Sequence, residues 1–227
     1  MKKESANNNE DGLEINREVQ FFPNTPDNTH CFQATFQMAL KHFLPEKDFT
    51  MAELEAITGK GDRMWTWPFA GLLWLQKEGF DIRTISDFDL QRFANEGINY
   101  IEAKNGKEIA DIIAKHGNIA EEQKRATACL EKIEQGMYQM REANLADIRQ
   151  SLTDNYLVIC RVNSLALTGK PGYIGHFLLI KGINDHEIIA HNPGLPPQEN
   201  QRIPLDVFEK AWAFPTADAK NIIGIKK

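Results

Sequence analysis

Apolar residues recur at helical spacing through the first part of the chain and in short extended runs through the last third. From Phe32 onward they lie three and four positions apart, which predicts a helix over residues 29–43 that ends before Pro45. Thr50 and Glu53 have the spacing of a capping box and predict the start of the next helix. Further helices are predicted over residues 51–58, 68–78, 90–95 and 205–212.

Residues 101–152 are dominated by Glu, Lys, Ala, Ile and Gln and are interrupted by few glycines, which predicts a helical insertion. Beyond it, apolar and β-branched runs are separated by Gly, Asn, Asp and Pro, as is typical of strands. Strands are predicted over residues 156–162, 177–181, 187–190 and 222–225, with an earlier edge strand over 81–86. Helices followed by a mostly antiparallel sheet give an α+β fold.

The chain has 227 residues, of which 42% are hydrophobic, and this is enough for one substantial core. Residues 1–16 are polar and rich in Asn and Glu, so they lack the apolar content that would offset the entropy lost on ordering. We therefore predict a flexible N-terminal tail over 1–16 and one domain over 17–227, within which 101–152 is an insertion.

The 26 basic and 32 acidic residues give a net charge of −6, which disfavours nucleic acid or an anionic membrane as a partner. No run approaches the roughly 18 apolar residues of a membrane span, and the N-terminus lacks the apolar segment of a secretory signal. Three cysteines cannot all pair within one chain, and they lack zinc-ligand spacing. We expect reduced thiols, a cytoplasmic location and neither a metal nor another cofactor. The sequence does not indicate an oligomeric state.

Cys31 falls in the first turn of the first predicted helix. Free N–H groups and the helix dipole favour negative charge there, so this position stabilises a thiolate. His176 begins an apolar strand directly after Gly175, where an imidazole can share a proton with a thiol and a ligand can approach the glycine closely. Taken singly, Cys31 is also explained as a small core residue, and His176 as a strand-end histidine bonded to a carbonyl.

Asn192 follows the next predicted strand, and a tight turn at 184–186 joins the two strands. The hairpin register brings Asn192 beside His176, where its amide oxygen would accept the imidazole N–H and fix the tautomer. The alternative is that the Asn-Pro-Gly sequence at 192–194 is only a turn. His176 lies within the about 130–150 residues that separate nucleophile and base in papain-type enzymes, and Asn192 lies slightly beyond.

In order and spacing these segments resemble the bacteriocin-processing (double-glycine) cysteine peptidase family and its cytosolic relatives of papain-like fold. The segments that carry the resemblance are Cys31-Phe32-Gln33-Ala34, Gly175-His176-Phe177, Gly182-Ile183-Asn184-Asp185, His191-Asn192-Pro193-Gly194 and Phe208 to Trp212. The resemblance spans about residues 19 to 225. It implies a nucleophile helix packed on a C-terminal sheet, the catalytic set Cys31, His176 and Asn192, and a peptide or acyl-amide substrate.

The resemblance further implies an oxyanion-hole side chain upstream of the nucleophile, where the family has Gln and this chain has Asn24. An Asn amide can donate to an oxyanion, but it is one methylene shorter. Rival donors are Gln20, Asn28 and Gln33. The chain departs from the family pattern at Phe32 and Gln33, which replace Gly-Pro, and at Asn192, which replaces Asp and keeps an acceptor without the charge.

The leading hypothesis is a cysteine hydrolase that cleaves a peptide or amide bond through a Cys31 thiolate and an acyl-enzyme, with His176 as base. An acyltransferase or a deamidase would use the same apparatus. The alternative from another class is a catalytically silent peptide-binding module of the same fold, which the departures from the family pattern motivate.

Trp65 and Trp67 lie just before the third predicted helix. They fit either core packing or an apolar wall of a substrate cleft, and with Gly175 they are the candidate substrate-binding residues. A zinc site is a further alternative, because cysteine and histidine are zinc ligands, but the candidates lack metal-ligand spacing. Those candidates are His30, Cys31, His176 and His191.

Overall fold

The computed structural model describes residues 14–62, 64–134, 136–216 and 219–227. Its helices are α1 (Cys31–Phe43), α2 (Met51–Thr58), α3 (Phe69–Lys77), α4 (Leu90–Glu96), α5 (Ile98–Asn105), α6 (Lys107–His116), α7 (Ile119–Lys132), α8 (Leu145–Thr153), α9 (Ser164–Leu167) and α10 (Leu205–Trp212). Its strands are β1 (Ile15–Asn16), β2 (Asp81–Ser86), β3 (Tyr138–Gln139), β4 (Leu157–Asn163), β5 (Gly175–Ile183), β6 (Glu187–Asn192), β7 (Gln198–Pro204) and β8 (Asn221–Lys226). The described ranges contain no helix with both the length and the apolar character needed to cross a bilayer.

The strands form one sheet in the order β3-β2-β8-β4-β5-β6-β7, and β1 pairs with β5. The described pairings are antiparallel except that of β2 with β3. Strand β2, predicted at an edge, has only the two residues of β3 outside it. Strand β7 was not predicted, because its run Gln-Glu-Asn-Gln-Arg lacks the apolar alternation that marks a half-buried strand.

The central strands bury both faces of the sheet, each against different helices. Leu157 and Ile159 of β4 belong to the core that includes apolar residues of α1, α2 and α3, whereas Val158 and Cys160 belong to the core formed with α8 and α10. This alternation follows from the two-residue period of a strand. The predicted α+β class, with the N-terminal helix α1 packed on a mostly antiparallel sheet, is confirmed.

The region predicted as a helical insertion is helical, but it divides between two cores. Its helices α5 to α7 pack, together with the preceding α4, around a separate cluster that includes Phe93, Ile101 and Ala126 and that also takes in Phe69 of α3. Helix α8 instead places Ile148 and Leu152 in the core on the sheet. Helical composition predicts the state of the backbone, whereas only tertiary packing decides which core an amphipathic face joins.

The start of the ordered domain differs from its predicted position. Residues 1–13 of the predicted tail lie outside the described residues, but Ile15 and Asn16 form β1 against Ile183 and Gly182. A Cβ at position 182 would lie 2.4 Å from the Ile15 carbonyl oxygen, so a glycine is what permits this approach. Composition does not predict β1, because backbone pairing requires no apolar side chains.

Candidate active site

A cleft of about 350 Å³ opens where the start of α1 faces the first residues of β5 and the last residue of β6. Cys31, His176 and Asn192 all line it, so the fold brings the three predicted catalytic residues to one surface. Apolar and aromatic side chains form much of the remaining wall. They include Trp65, Trp67, Leu165, Tyr173, Ile174 and Leu195.

Cys31 is the first residue of α1 and follows His30 at the N-cap. The first N–H groups of a helix have no partner within the helix, so the positive end of the helix dipole lies at the thiol. The sulfur also receives backbone N–H groups from Phe32 and from Phe177 of β5. These contacts surround the thiol with positive charge, as a thiolate requires.

The imidazole of His176 lies between the thiol and an amide. Its Nε2 is 2.8 Å from Oδ1 of Asn192, and because that oxygen can only accept, Nε2 carries the proton. Nδ1 is then the nitrogen left for the hydrogen bond that joins His176 to Cys31. His176 is 6% exposed, so this chain of hydrogen bonds is largely shielded from water.

Burial opposes the charged forms of Cys31 and His176, and their mutual contact outweighs it. Burial by itself would raise the pKa of the Cys31 thiol, but the hydrogen bond and charge of His176 and two backbone N–H groups bring this pKa below its ordinary value. Burial would likewise lower the pKa of His176, but Cys31 and then Asn192 bring it above its ordinary value. Together these shifts favour a thiolate–imidazolium pair.

The other two thiols lie in environments of the opposite kind. Burial raises the pKa of Cys129 to about 12 and raises that of Cys160 well above its ordinary value. Neither residue lines the cleft, and all three thiols are free. Cys31 is therefore the cysteine whose surroundings favour reaction at neutral pH.

Two further contacts hold the Asn192 amide with its oxygen toward His176. Its Nδ2 donates to Oε1 of Gln201 at 2.9 Å, and the Gly194 N–H donates to its Oδ1 at 3.0 Å. A Cβ at position 194 would lie 3.0 Å from that oxygen and 3.3 Å from the imidazole, so the glycine lets the loop close over the pair. Sequence reasoning missed Gln201, because only the pairing of β6 with the polar strand β7 brings it here.

Asn24, the predicted oxyanion donor, is buried and does not line the cleft. Its Oδ1 accepts the backbone N–H groups of Thr25 at 2.9 Å and His30 at 2.8 Å, and its Nδ2 donates to Oδ1 of Asn28 at 2.9 Å. Asn28 lines the cleft in a left-handed conformation with φ of 57°. Because Asn28 uses its oxygen to accept from Asn24, its own amide N–H groups remain available to the cleft.

The two glutamines considered as rival donors do not reach the cleft. Gln20 is exposed and does not line it. Gln33 is fully buried and donates to the hydroxyls of Thr58 at 2.6 Å and Thr66 at 2.9 Å. Gln33 therefore anchors the start of α1 to α2 and to the segment before α3.

Trp65, Trp67 and Gly175, the candidate substrate-binding residues, all line the cleft. Trp65 stacks on His116 with ring centroids 4.8 Å apart, and Trp67 stacks on Phe93 at 5.0 Å. Trp65 therefore rests on α6 of the insertion and Trp67 on α4, and both indoles also line the cleft. The third nearby tryptophan, Trp74, instead packs in the core around α1.

The histidines weighed as zinc ligands are occupied by other contacts. His30 bonds Thr25 through Nδ1 at 2.6 Å and Glu55 through Nε2 at 2.6 Å, while His191 bonds the Val19 carbonyl at 2.9 Å. Among the described residues no group of three or more His, Cys, Asp or Glu side chains is arranged to hold a metal ion. These contacts instead fix the segment before α1 to α2 and to β6.

The sequence matches no protein-family model and no curated protein. Among solved structures, the chain is similar to the peptidase domain of Streptococcus ComA, described as a bifunctional ABC transporter involved in a quorum-sensing pathway. The similarity has a TM-score of 0.48 at 13% sequence identity and covers 92% of this chain and 98% of that one.

Proposed function

We propose that this protein is a cysteine hydrolase that cleaves a peptide or amide bond, with Cys31 as nucleophile, His176 as base and Asn192 as the residue that orients the imidazole. The observation that carries the proposal is the contact of the Cys31 thiol with an imidazole whose Nε2 is held 2.8 Å from the Asn192 amide oxygen. A nucleophile, a base and a group that orients the base form the minimum apparatus of covalent acyl transfer.

The proposed reaction begins with the Cys31 proton on Nδ1 of His176. The sulfur attacks the scissile carbonyl carbon, a C–S bond forms, and the carbonyl electron pair moves onto oxygen. When this oxyanion collapses, the C–N bond breaks and the leaving amine takes the proton from Nδ1, which leaves a thioester. Water then gives a proton to His176 and attacks the thioester, so the acid departs and the thiolate is restored.

The oxyanion needs donors beside Cys31, and we assign them to the Cys31 backbone N–H and the side-chain amide of Asn28. The Cys31 N–H is the first of the helix and has no hydrogen-bond partner among the described residues. Asn28 replaces Asn24 in this role, because Asn24 uses its Nδ2 to hold the Asn28 oxygen at 2.9 Å. Asn24 then acts as a positioning residue for Asn28.

The cleft wall suits an extended peptide or acyl group. Trp65, Trp67 and Tyr173 offer aromatic surface, while Ile174 and Leu195 on the rim are 43% and 48% exposed. Apolar groups left exposed beside a reactive centre are typical of a surface that a ligand covers. A catalytically silent peptide-binding module would share this wall, but it would require no contact between thiol and imidazole.

Selective alkylation tests the proposed nucleophile. At pH 7, iodoacetamide should modify Cys31 at least about 10-fold faster than Cys129 or Cys160, because only Cys31 has a lowered pKa. The Cys31 rate should rise with pH through an inflection below the ordinary thiol value of 9.0. His176→Gln should move that inflection upward, because the imidazolium charge that stabilises the thiolate is lost. Peptide mass spectrometry reads out each thiol separately.

Equal labelling of the three thiols in the folded protein would contradict the assignment. A second measurement addresses the reaction itself: the wild-type protein is incubated with a library of peptides and acyl amides, with Cys31→Ala as control. Products that contain an added water support hydrolysis, whereas products joined to an added amine indicate acyl transfer. Selective labelling without turnover of any library member would favour the silent binding module.

A further inference from the structure

The charges in the cleft have one sign. Apart from His176, the charged side chains among its lining residues are Arg161 and Lys170, and no Asp or Glu is among them. The chain as a whole has 32 acidic and 26 basic residues, so an all-basic cleft runs against its composition. A cleft lined by one sign of charge attracts ligands of the opposite sign.

Arg161 lies close to the proposed catalytic centre. In the β4–β5 register it is opposite Phe177, the neighbour of His176, which puts the Arg161 and His176 Cα atoms about 6 Å apart given ordinary strand spacing and rise. The Arg161 backbone is fixed on both sides by Asn221, whose Oδ1 accepts its N–H at 3.1 Å and whose Nδ2 donates to its carbonyl at 3.2 Å.

The Arg161 guanidinium has no carboxylate partner among the described residues. The side chain is partly buried, yet within the described ranges no acidic group lies within ion-pair distance of it. Three other partly buried arginines contact carboxylates, namely Arg83, Arg125 and Arg149, and Arg83 lies 2.8 Å from Asp154. Arg17 instead bonds the Leu152 carbonyl and the Asn155 side-chain oxygen. A partly desolvated cation without a counter-ion is an unfavourable arrangement that an anionic ligand would relieve.

A smaller pocket of about 70 Å³ adjoins the cleft and shares Trp67, Pro68, Arg161 and Phe177 with it. Leu72, Phe88 and Ile223 contribute to its apolar walls, and Arg161 is the charged residue among those that line it. This volume has room for one short side chain or a few water molecules.

Thr84 also lines the small pocket, and its hydroxyl is buried without a hydrogen-bond partner among the described residues. Buried polar groups are ordinarily paired, so each exception needs an explanation. Arg161 and Thr84 come from different strands and line the same small space, and within the part of the chain that the structure describes neither side chain has a hydrogen-bond partner. Two unused donors suit the two oxygens of a carboxylate.

We infer that the Arg161 pocket, defined by Arg161, Thr84 and the apolar residues around them, is a subsite for a carboxylate carried by the substrate, and this inference rests on the proposed function. The carboxylate belongs to a short acidic side chain or to a free chain terminus, within about two residues of the scissile bond. Arg161 binds it through charge-assisted hydrogen bonds, and the apolar walls pack against its methylene groups.

The test compares blocked peptides that carry Glu, Asp, Gln or Asn at each of the two positions on either side of the scissile bond, together with matched free-acid and amide C-termini. We expect kcat/KM for one acidic set to exceed its neutral isostere by about 10- to 100-fold, as a charge-assisted hydrogen bond provides. Preference for internal Glu or Asp identifies a side chain, whereas preference for the free acid over the amide identifies a terminus.

Arg161→Gln should reduce that preference to near unity, because a neutral amide cannot form an ion pair with the carboxylate. Thr84→Val, a near-isosteric change that keeps the pocket volume, should reduce the preference several-fold and provides a second variant if Arg161→Gln folds poorly. Lys170→Gln is the matched control, because it removes an exposed cleft cation outside the small pocket and should leave the preference intact.

Equal turnover of acidic and neutral peptides by wild type would overturn the subsite and leave the hydrolase proposal standing. Calorimetric titration of the Cys31→Ala variant with the acidic and neutral peptides tests the subsite separately from the hydrolase proposal, since binding is measured without bond cleavage. Tighter binding of the acidic peptide that Arg161→Gln abolishes would support the subsite even if no peptide is cleaved. Binding that is weak and equal for both would overturn it.

Discussion

At the scale of single residues, position within the fold decides the chemistry of each thiol. Cys31 and Cys160 are both surrounded by protein, but Cys31 has a helix N-terminus, an imidazole and two N–H groups, whereas Cys160 has apolar neighbours from the sheet core. Burial raises the pKa of Cys160, and the pKa of Cys31 is lowered despite burial. Specific polar partners can thus reverse the effect of desolvation.

The two-asparagine arrangement at the start of α1 gives a prediction at this scale. Asn28→Gly removes the proposed donor and accepts the positive φ of 57° without strain. It should lower kcat by about 10²- to 10³-fold with little change in KM, as loss of one oxyanion-hole donor does. Steady-state kinetics on a substrate found in the library screen provides the measurement.

Asn24→Asp is the paired variant for that experiment. An aspartate keeps the acceptor for the Thr25 and His30 N–H groups but cannot donate to Asn28. Asn24→Asp should preserve thermal stability but lower kcat, because Asn28 loses the hydrogen bond that orients its side chain. An unchanged kcat in Asn28→Gly would contradict the assignment of Asn28 to the oxyanion hole.

At the scale of elements, some helix boundaries are set by neighbouring residues alone and do not depend on the rest of the fold. The capping box of α2 forms as its sequence predicts: the Thr50 hydroxyl accepts the Glu53 N–H at 3.3 Å, and the Glu53 carboxylate accepts the Thr50 N–H at 2.7 Å. Strand β1 is the opposite case. Two polar-flanked residues acquire structure only because Gly182 leaves room for their backbone.

Gly182→Ala tests that dependence. Its Cβ would lie 2.4 Å from the Ile15 carbonyl oxygen, so we expect β1 to separate from β5 and the free energy of unfolding to fall by about 1–3 kcal/mol. Hydrogen exchange should show faster exchange of the Arg17 N–H, which bonds the Lys181 carbonyl at 3.0 Å. Gly61→Ala is the control, because its nearest neighbour is the flexible Met64 side chain at 3.3 Å. Protection of Arg17 equal to wild type would refute the steric explanation.

At the scale of the whole molecule, the helical insertion supports the cleft. The backbone N–H of Trp65 donates to the His116 carbonyl at 2.7 Å and its indole stacks on the His116 ring, so the end of α6 fixes one wall residue. Arg125 of α7 donates to the Gly59 carbonyl at 3.0 Å and joins the insertion to the end of α2. The insertion is thus linked to the end of α2 and to the segment before α3, both of which follow α1 in the chain.

The buried carboxyl group of Glu122 on α7 makes the stability of the fold depend on pH. Burial raises its pKa from 4.5 to about 7, and only one of its oxygens has a partner, on Arg125. Between these two pH values the folded state keeps a proton that the unfolded state has lost, so stability falls as pH rises from 4.5 to about 7. The loss amounts to about 3 kcal/mol at most.

Glu122→Gln should remove this fall, since an amide has no charge to bury. Urea unfolding at pH 5 and pH 8 should give a smaller difference in the free energy of unfolding for Glu122→Gln than for wild type. Glu121→Gln, a change at the partly exposed neighbouring carboxylate, should keep the wild-type difference. If wild type is equally stable at both pH values, Glu122 is ionised in the fold at no cost.

The sequence by itself determined helices α1 to α4 and α10, the capping box of α2, the core strands, the α+β class and the identity of the cleft thiol and imidazole, because periodicity, caps and turns act over a few residues. Only the tertiary structure decided that Asn28 rather than Asn24 faces the cleft, that Gln201 holds Asn192, and that Arg161 lines the same cleft. Those positions depend on strand pairing and packing between distant segments. A polar residue such as Gln201 carries no periodic signal, so its partner is known only once the sheet has formed.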